Sequence, residues 1–209
     1  MGVDISFVKK EELCSAIEIN ELDTINKSWS DEDYIKLFLA KGVLKRLRET
    51  ITILEEHAID LSGKSVIDVG CGVGLLLKYL SDHYPVSSQT GMEYSEAAIE
   101  AAKRVYPAAE YIVHDINYPY PEEYGAVFCT EVIEHILYPG KAFRNLLKMV
   151  QDRGILYVTV PNGRYDTYAG HINFWSPESW NVFIAENSGG LKYCTGVIKR
   201  NILYAIVYH

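Results

Sequence analysis

The sequence predicts an α/β fold: a seven-stranded, mostly parallel sheet with helices on both faces and an antiparallel hairpin at its carboxyl end. Three observations predict it. Short β-rich runs alternate with helical stretches from residue 65 onward, the order that gives right-handed crossovers between parallel strands. The first run, Val66-Ile67-Asp68-Val69, ends in Gly70-Cys71-Gly72-Val73-Gly74, whose alternate glycines turn a strand into a helix start. Near the carboxyl end, Leu191 to Ile198 and Asn201 to Tyr208 are separated by Lys199-Arg200 alone, and so tight a connection requires antiparallel pairing.

Residues 1 to about 29 carry no clear periodicity and read as a partly helical lead-in. Ser30 then stands where it can cap a helix begun by Asp31, Glu32 and Asp33, acidic groups suited to a helix start. Ile35, Phe38, Leu39, Leu44, Leu47, Ile51 and Leu54 recur at helical spacing, so one long helix or two shorter ones cover Asp31 to His57. Strands follow at Ser65 to Val69, Ser87 to Glu93, Glu110 to Val113, Ala126 to Thr130 and Ile155 to Val160. Helices are expected from Leu75 to Asp82, Glu96 to Val105, Pro139 to Val150 and Pro177 to Glu186. The organisation is a helical lead-in and cap over 1–58 and one main domain over 59–209.

With 209 residues, 48% of them apolar, the chain can bury one sizeable core. The net charge of −8 disfavours a broad electrostatic grip on nucleic acid. Cys14, Cys71, Cys129 and Cys194 form no C-x-x-C pair and read as reduced thiols. Met1 to Glu12 lack a signal-peptide core, and no apolar run is long enough to span a membrane, so a soluble, cytoplasmic protein is expected.

The glycine turn reads as a cradle for a nucleotide cofactor at the end of the first strand. Its spacing is not the G-x-G-x-x-G of pyrophosphate binders, and Asp68, two residues before Gly70, is unfavourable beside phosphate. Glu93, at the end of the second strand, can accept hydrogen bonds from both hydroxyls of a ribose; the alternative is a solvated loop charge. After the fourth strand, a helical turn would bring Glu131, Glu134 and His135 onto one face, toward the crevice. Such a set can hold a divalent cation, which His171 can complete from the loop after the fifth strand; alternatively His135 acts as a general base beside Glu134.

Asp68-Val69-Gly70-Cys71-Gly72-Val73-Gly74 resembles the first motif of class I S-adenosylmethionine-dependent methyltransferases, whose sheet is Rossmann-like and ends in an antiparallel hairpin. The resemblance makes 59–209 the methyltransferase domain and implies a cofactor set of Asp68, Gly70, Cys71, Gly72, Gly74, Glu93, Tyr94, Asp115, Ile116 and Thr130. In that set Asp115 takes the adenine amino group and Ile116 packs near the ring; by its residue type Asp115 can equally be a turn residue. A leading helix in this family often covers the pocket mouth, whereas a plain reading packs it on the sheet. E-x-x-E-H after strand four is similar to ubiquinone-biosynthesis O-methyltransferases and to small-RNA 3′-terminal 2′-O-methyltransferases, which implies a divalent metal such as magnesium at Glu131, Glu134, His135 and His171.

The chain departs from the RNA enzymes in its acidic balance and single histidine near 171, and from the quinone enzymes in lacking an obvious membrane-facing element. Methyl transfer to an oxygen of a small-molecule acceptor is the leading expectation, with His135 and Glu134 as catalytic residues. RNA 2′-O-methylation would instead call on Arg164, Lys192, Lys199 and Arg200 as a basic patch, and a non-catalytic cofactor-binding protein is the third reading.

Overall fold

The computed structural model describes residues 10–39 and 41–209; the lead-in over 1–9 and the side chains of Cys14 and Phe38 lie outside that description. Seven strands form one sheet among the described residues, in the order β3-β2-β1-β4-β5-β7-β6. They are β1 (Ser65–Val69), β2 (Ser88–Glu93), β3 (Glu110–Val113), β4 (Tyr124–Thr130), β5 (Val150–Pro161), β6 (Lys192–Ile198) and β7 (Ile202–Tyr208). β1 to β5 pair in parallel, while β7 is antiparallel to both β5 and β6. The order reverses between β1 and β4, which opens a crevice at their carboxyl ends.

The expected fold class therefore holds, helices on both faces included. On one face Ile67, Val127 and Leu156 pack with Phe143 and Leu146 of α7 (Pro139–Lys148) and with Trp180 and Ile184 of α8 (Pro177–Asn187). On the other, Val66, Phe128 and Tyr157 pack with Leu47, Ile51 and Leu54 of α4 (Lys41–Glu56) and with Leu77 and Leu80 of α5 (Leu75–His83). The helix expected as part of a lead-in and cap thus shares the sheet's core, and the division at residue 58 marks no gap in packing. A smaller cluster joins Ala98 and Ala101 of α6 (Glu96–Val105) to Trp29, Ile35 and Val73.

Several boundaries differ from expectation for local reasons. Asp31, not Ser30, is the N-cap of α3 (Glu32–Phe38), its side chain accepting from Asp33 N at 2.8 Å. Ser30 instead ends α2 (Leu22–Trp29), donating to Asn26 O at 2.7 Å. Of the two forms open for Asp31 to His57, two helices, α3 and α4, are observed. β5 starts at Val150 because that residue pairs with Tyr124 ahead of an irregularity in the β4 register. In the hairpin, Lys199 and Arg200 both have positive φ (46° and 74°), the sense of turn that matches strand twist. No helix among the described residues is long and apolar enough to cross a membrane.

Side chains from other elements pack closely on the glycine turn. Gly70 has φ +77°, and a Cβ there would overlap Val132 Cγ2. Gly70→Ala therefore combines left-handed strain with overpacking and is expected to cost about 2–5 kcal/mol of stability. Denaturant unfolding of the variant checks this, and an unchanged midpoint would contradict it.

Candidate active site

A cavity of about 650 Å³ opens over the carboxyl ends of β1, β2, β4 and β5, where Asp68, Glu93, Thr130 and Thr159 line it. Its size is that of a small-molecule site, typically about 300–1,000 Å³. One end is acidic. Asp68, at 2% exposure, has an Oδ1 with no hydrogen-bond partner among the described residues. Burial, reinforced by the charge of Glu93, pushes its carboxyl up to about 8.

Glu93 accepts from Gly72 N at 3.3 Å through Oε2, and from Tyr94 N (2.7 Å) and Ser95 N (3.4 Å) through Oε1. Burial raises its pKa against those three bonds, which favour the carboxylate. Asp115 spends Oδ1 on Asn117 N and Nδ2, both at 2.9 Å, so it makes the turn and also lines the cavity. Ile116, Cys71, Tyr94, Gly70 and Gly72 line it too. Gly74 does not: at φ +75° it is the N-cap of α5, and the Tyr111 hydroxyl occupies the place a Cβ would need. Over Gly72 the corresponding space is held by Trp29, 3.1 Å away. The glycines thus serve φ and the close packing of side chains.

At the other end, the E-x-x-E-H residues take a form that spacing does not predict. Glu131 adopts φ 58° as the chain leaves β4, so the expected helical turn is interrupted and only Ile133–His135 form a short 3₁₀ turn. Glu131 Oε1 accepts from Thr159 Oγ1 at 3.0 Å. Among the described residues, the ligand-type atoms within 4.8 Å of one another come from Glu134, His135 and His171, and Glu131 stands outside that group.

Glu134 is fully buried, and neither Oε1 nor Oε2 has a hydrogen-bond partner among the described residues. Its pKa is held well above the carboxylate range by burial, then by the charge of Glu131. Oε1 faces His135 Nε2 at 3.9 Å and His171 Nε2 at 3.8 Å. The other ring nitrogens are taken: His135 Nδ1 bonds Gly170 O at 3.1 Å, and His171 Nδ1 bonds Asp166 Oδ2. A carbonyl only accepts, so His135 carries its proton on Nδ1 and a lone pair on Nε2. Burial, with His171 beside it, pushes His135 down to about 4, which keeps the ring neutral. His135 lines the cavity, whereas Glu134 and His171 are not among its lining residues.

Asp166, the Gly170 carbonyl, Trp29 and Tyr34 join the site without being singled out by sequence pattern. Of these, Asp166 carries a local signal, standing five residues before His171 in a loop opened by Asn162-Gly163. The residues of the expected basic patch are separately engaged: Arg164 with Glu178 (2.6 Å), Lys199 with Glu49, Lys192 over the Tyr208 ring and Arg200 over the Tyr165 ring.

A family model described as a methyltransferase domain matches residues 39–188. A mitochondrial ubiquinone biosynthesis O-methyltransferase of Candida albicans is 28% identical over 150 residues, covering 66% of this chain and 46% of the relative. The Coxiella burnetii ubiquinone biosynthesis O-methyltransferase is 31% identical over 122 residues, 54% of this chain and 50% of the relative. The chain thus spans about half the length of these curated relatives. In fold it is similar to the N-methyltransferase NodS from Bradyrhizobium japonicum, solved with S-adenosyl-L-homocysteine: TM-score 0.69, 17% identity, 91% of this chain and 98% of that one. Motif, topology and family match agree, and the chain belongs to the methyltransferase domain family, on the class I S-adenosylmethionine-dependent methyltransferase fold.

Proposed function

We propose that this chain transfers the methyl group of S-adenosylmethionine to an oxygen of a small-molecule acceptor, with His135 at the reacting end of the cavity. The observation that carries the reading is the unpartnered, buried Asp68 Oδ1 in the same cavity as His135. An ammonium group supplies the missing partner for Asp68, and Glu93 offers carboxylate lone pairs to a ribose. The names of the curated relatives support an oxygen acceptor, and the separately engaged basic side chains favour a small molecule over RNA.

In the transfer, an acceptor oxygen forms the new C–O bond as the S–C bond breaks in line and S-adenosylhomocysteine leaves, and the hydroxyl proton passes to the free Nε2 lone pair of His135 or, with a cation holding that nitrogen, to solvent. Glu134, His135 and His171 fit a divalent cation: two buried carboxylate oxygens lack partners, and both imidazoles have Nδ1 engaged and Nε2 turned to Glu134. Such a cation, when bound, lowers the pKa of an acceptor hydroxyl. Gly170 O and Asp166 hold the two rings in orientation, and Thr159 keeps Glu131 in place at the cavity wall.

At neutral pH Asp68 is mainly protonated, and an ammonium partner would lower its pKa. Titration with S-adenosylmethionine at pH 7 is therefore expected to release close to one proton, read as a dependence of the calorimetric enthalpy on buffer ionisation heat. Buffer-independent heats would remove Asp68 from the contact.

The acceptor class is tested by incubating the protein and methyl-labelled S-adenosylmethionine with small-molecule, RNA, protein and lipid fractions of a lysate, with and without a chelator. Label is expected in the small-molecule fraction and should fall with the chelator. Label confined to RNA or protein would reject the acceptor class, and chelator-insensitive transfer would reject the cation.

A further inference from the structure

The methyltransferase domain match begins at residue 39, yet earlier residues wall the cavity: Ile17, Asn20, Ile25, Trp29 and Tyr34 all line it. They belong to α1 (Lys10–Ile19), α2 and α3 and to the link between the first two. This segment is fastened at both ends of the cavity. At the cofactor end, Asn26 Oδ1 accepts from Ser95 Oγ at 2.6 Å and from Ala97 N at 3.4 Å, beside the Ser95 N–H that Glu93 holds. Trp29 stands over Gly72.

At the reacting end the fastening is to the carbonyl that orients His135. Asn20 Nδ2 donates to Gly170 O at 2.7 Å and to Ala16 O, in the last turns of α1, at 2.8 Å. Gly170 O is also the acceptor for His135 Nδ1, at 3.1 Å. Ile19 reinforces the contact: a Cβ on Gly170 would come within 3.1 Å of Ile19 Cγ2. One carbonyl thus joins a residue of the amino-terminal link to the imidazole that follows β4.

We infer that α2 is a strap across the cavity and that Asn20 is a positioning residue for His135, acting through the Gly170 carbonyl. The inference rests on the reading that His135 works at the reacting end. With the strap seated, two donors from different elements fix the carbonyl, and the fixed carbonyl selects the Nδ1–H tautomer that leaves the Nε2 lone pair toward Glu134. With the strap lifted, Gly170 O loses one donor, and the ring loses the constraint that aims it. The two fastenings also divide the work. The Asn26 and Trp29 end faces the cofactor-binding turn, and the Asn20 end faces the chemistry.

The test reads His135 directly, by its two imidazole nitrogen NMR shifts, in the wild type and in Asn20→Ala, with S-adenosylhomocysteine titrated separately. The wild type should show one Nδ1–H tautomer. Asn20→Ala should average the two nitrogens toward mixed tautomers while the S-adenosylhomocysteine Kd changes less than about threefold. A purely structural cap on α1 would lower the melting temperature and leave the tautomer intact, and that result overturns the inference. Asn20→Asp is nearly isosteric but has no donor for Gly170 O, so it must reproduce the tautomer mixing even if the alanine variant folds poorly. Because the tautomer is read without cofactor or acceptor, failure of wild-type S-adenosylhomocysteine binding rejects the proposed function separately from the strap.

Discussion

Asp68→Asn is expected to weaken S-adenosylmethionine binding by about 10- to 100-fold, the loss of one charge-assisted hydrogen bond of about 1.5–3 kcal/mol. The same change should not destabilise the free protein. The folded-state pKa of Asp68 is raised to about 8 by burial and by Glu93, from an ordinary value near 3.8. The folded chain therefore holds a proton that the unfolded chain gives up, so this group's contribution is full below about pH 4 and is lost as pH rises toward 8. Asparagine removes that dependence. Thermal unfolding of the free proteins at pH 6 and pH 8 should show the variant gaining on the wild type at the higher pH, while its affinity for cofactor falls. A parallel loss of stability and affinity would mean that Asp68 is a structural residue.

Glu134→Gln should leave cofactor affinity within about threefold and reduce methyl transfer by at least about 100-fold, the scale of a lost catalytic or ligating group. Its carboxyl is fully buried without hydrogen-bond partners among the described residues. The amide keeps the shape and removes the ionisable carboxyl whose Oε1 faces both Nε2 atoms. Labelled transfer into the small-molecule fraction, measured beside S-adenosylhomocysteine titration, separates the two effects. Transfer at the wild-type rate would exclude Glu134 from the chemistry.

The parts of this molecule written in short range were legible. β-branched residues running into alternate glycines identify β1 and its turn, and the two β-rich runs around Lys199-Arg200 identify the hairpin, because each signal is local in the chain. The placement of Asp68 and Glu93 was legible for the same reason: each stands at or next to the end of a strand, and parallel pairing of β1 with β2 brings those ends together. What could not be read depends on distant partners. Glu131 departs from a helical path because Thr159, from the next strand, holds both its backbone and its carboxylate. That removes it from the cluster that spacing alone suggested. Asn20 acquires its place from a carbonyl 150 residues away, and Trp29 from a glycine in the turn. Gly74 belongs to the motif by spacing, yet the chain uses it to cap α5 against Tyr111.

In the proposed function, the acidic end of this cavity holds the ammonium and ribose of S-adenosylmethionine. Calorimetric titration of the wild type with S-adenosylhomocysteine at pH 7, in two buffers of different ionisation heat, tests that placement most directly. The predicted result is saturable one-to-one binding with release of close to one proton, both weakened in Asp68→Asn. Absence of saturable binding, or equal binding by the variant with no proton released, would contradict it.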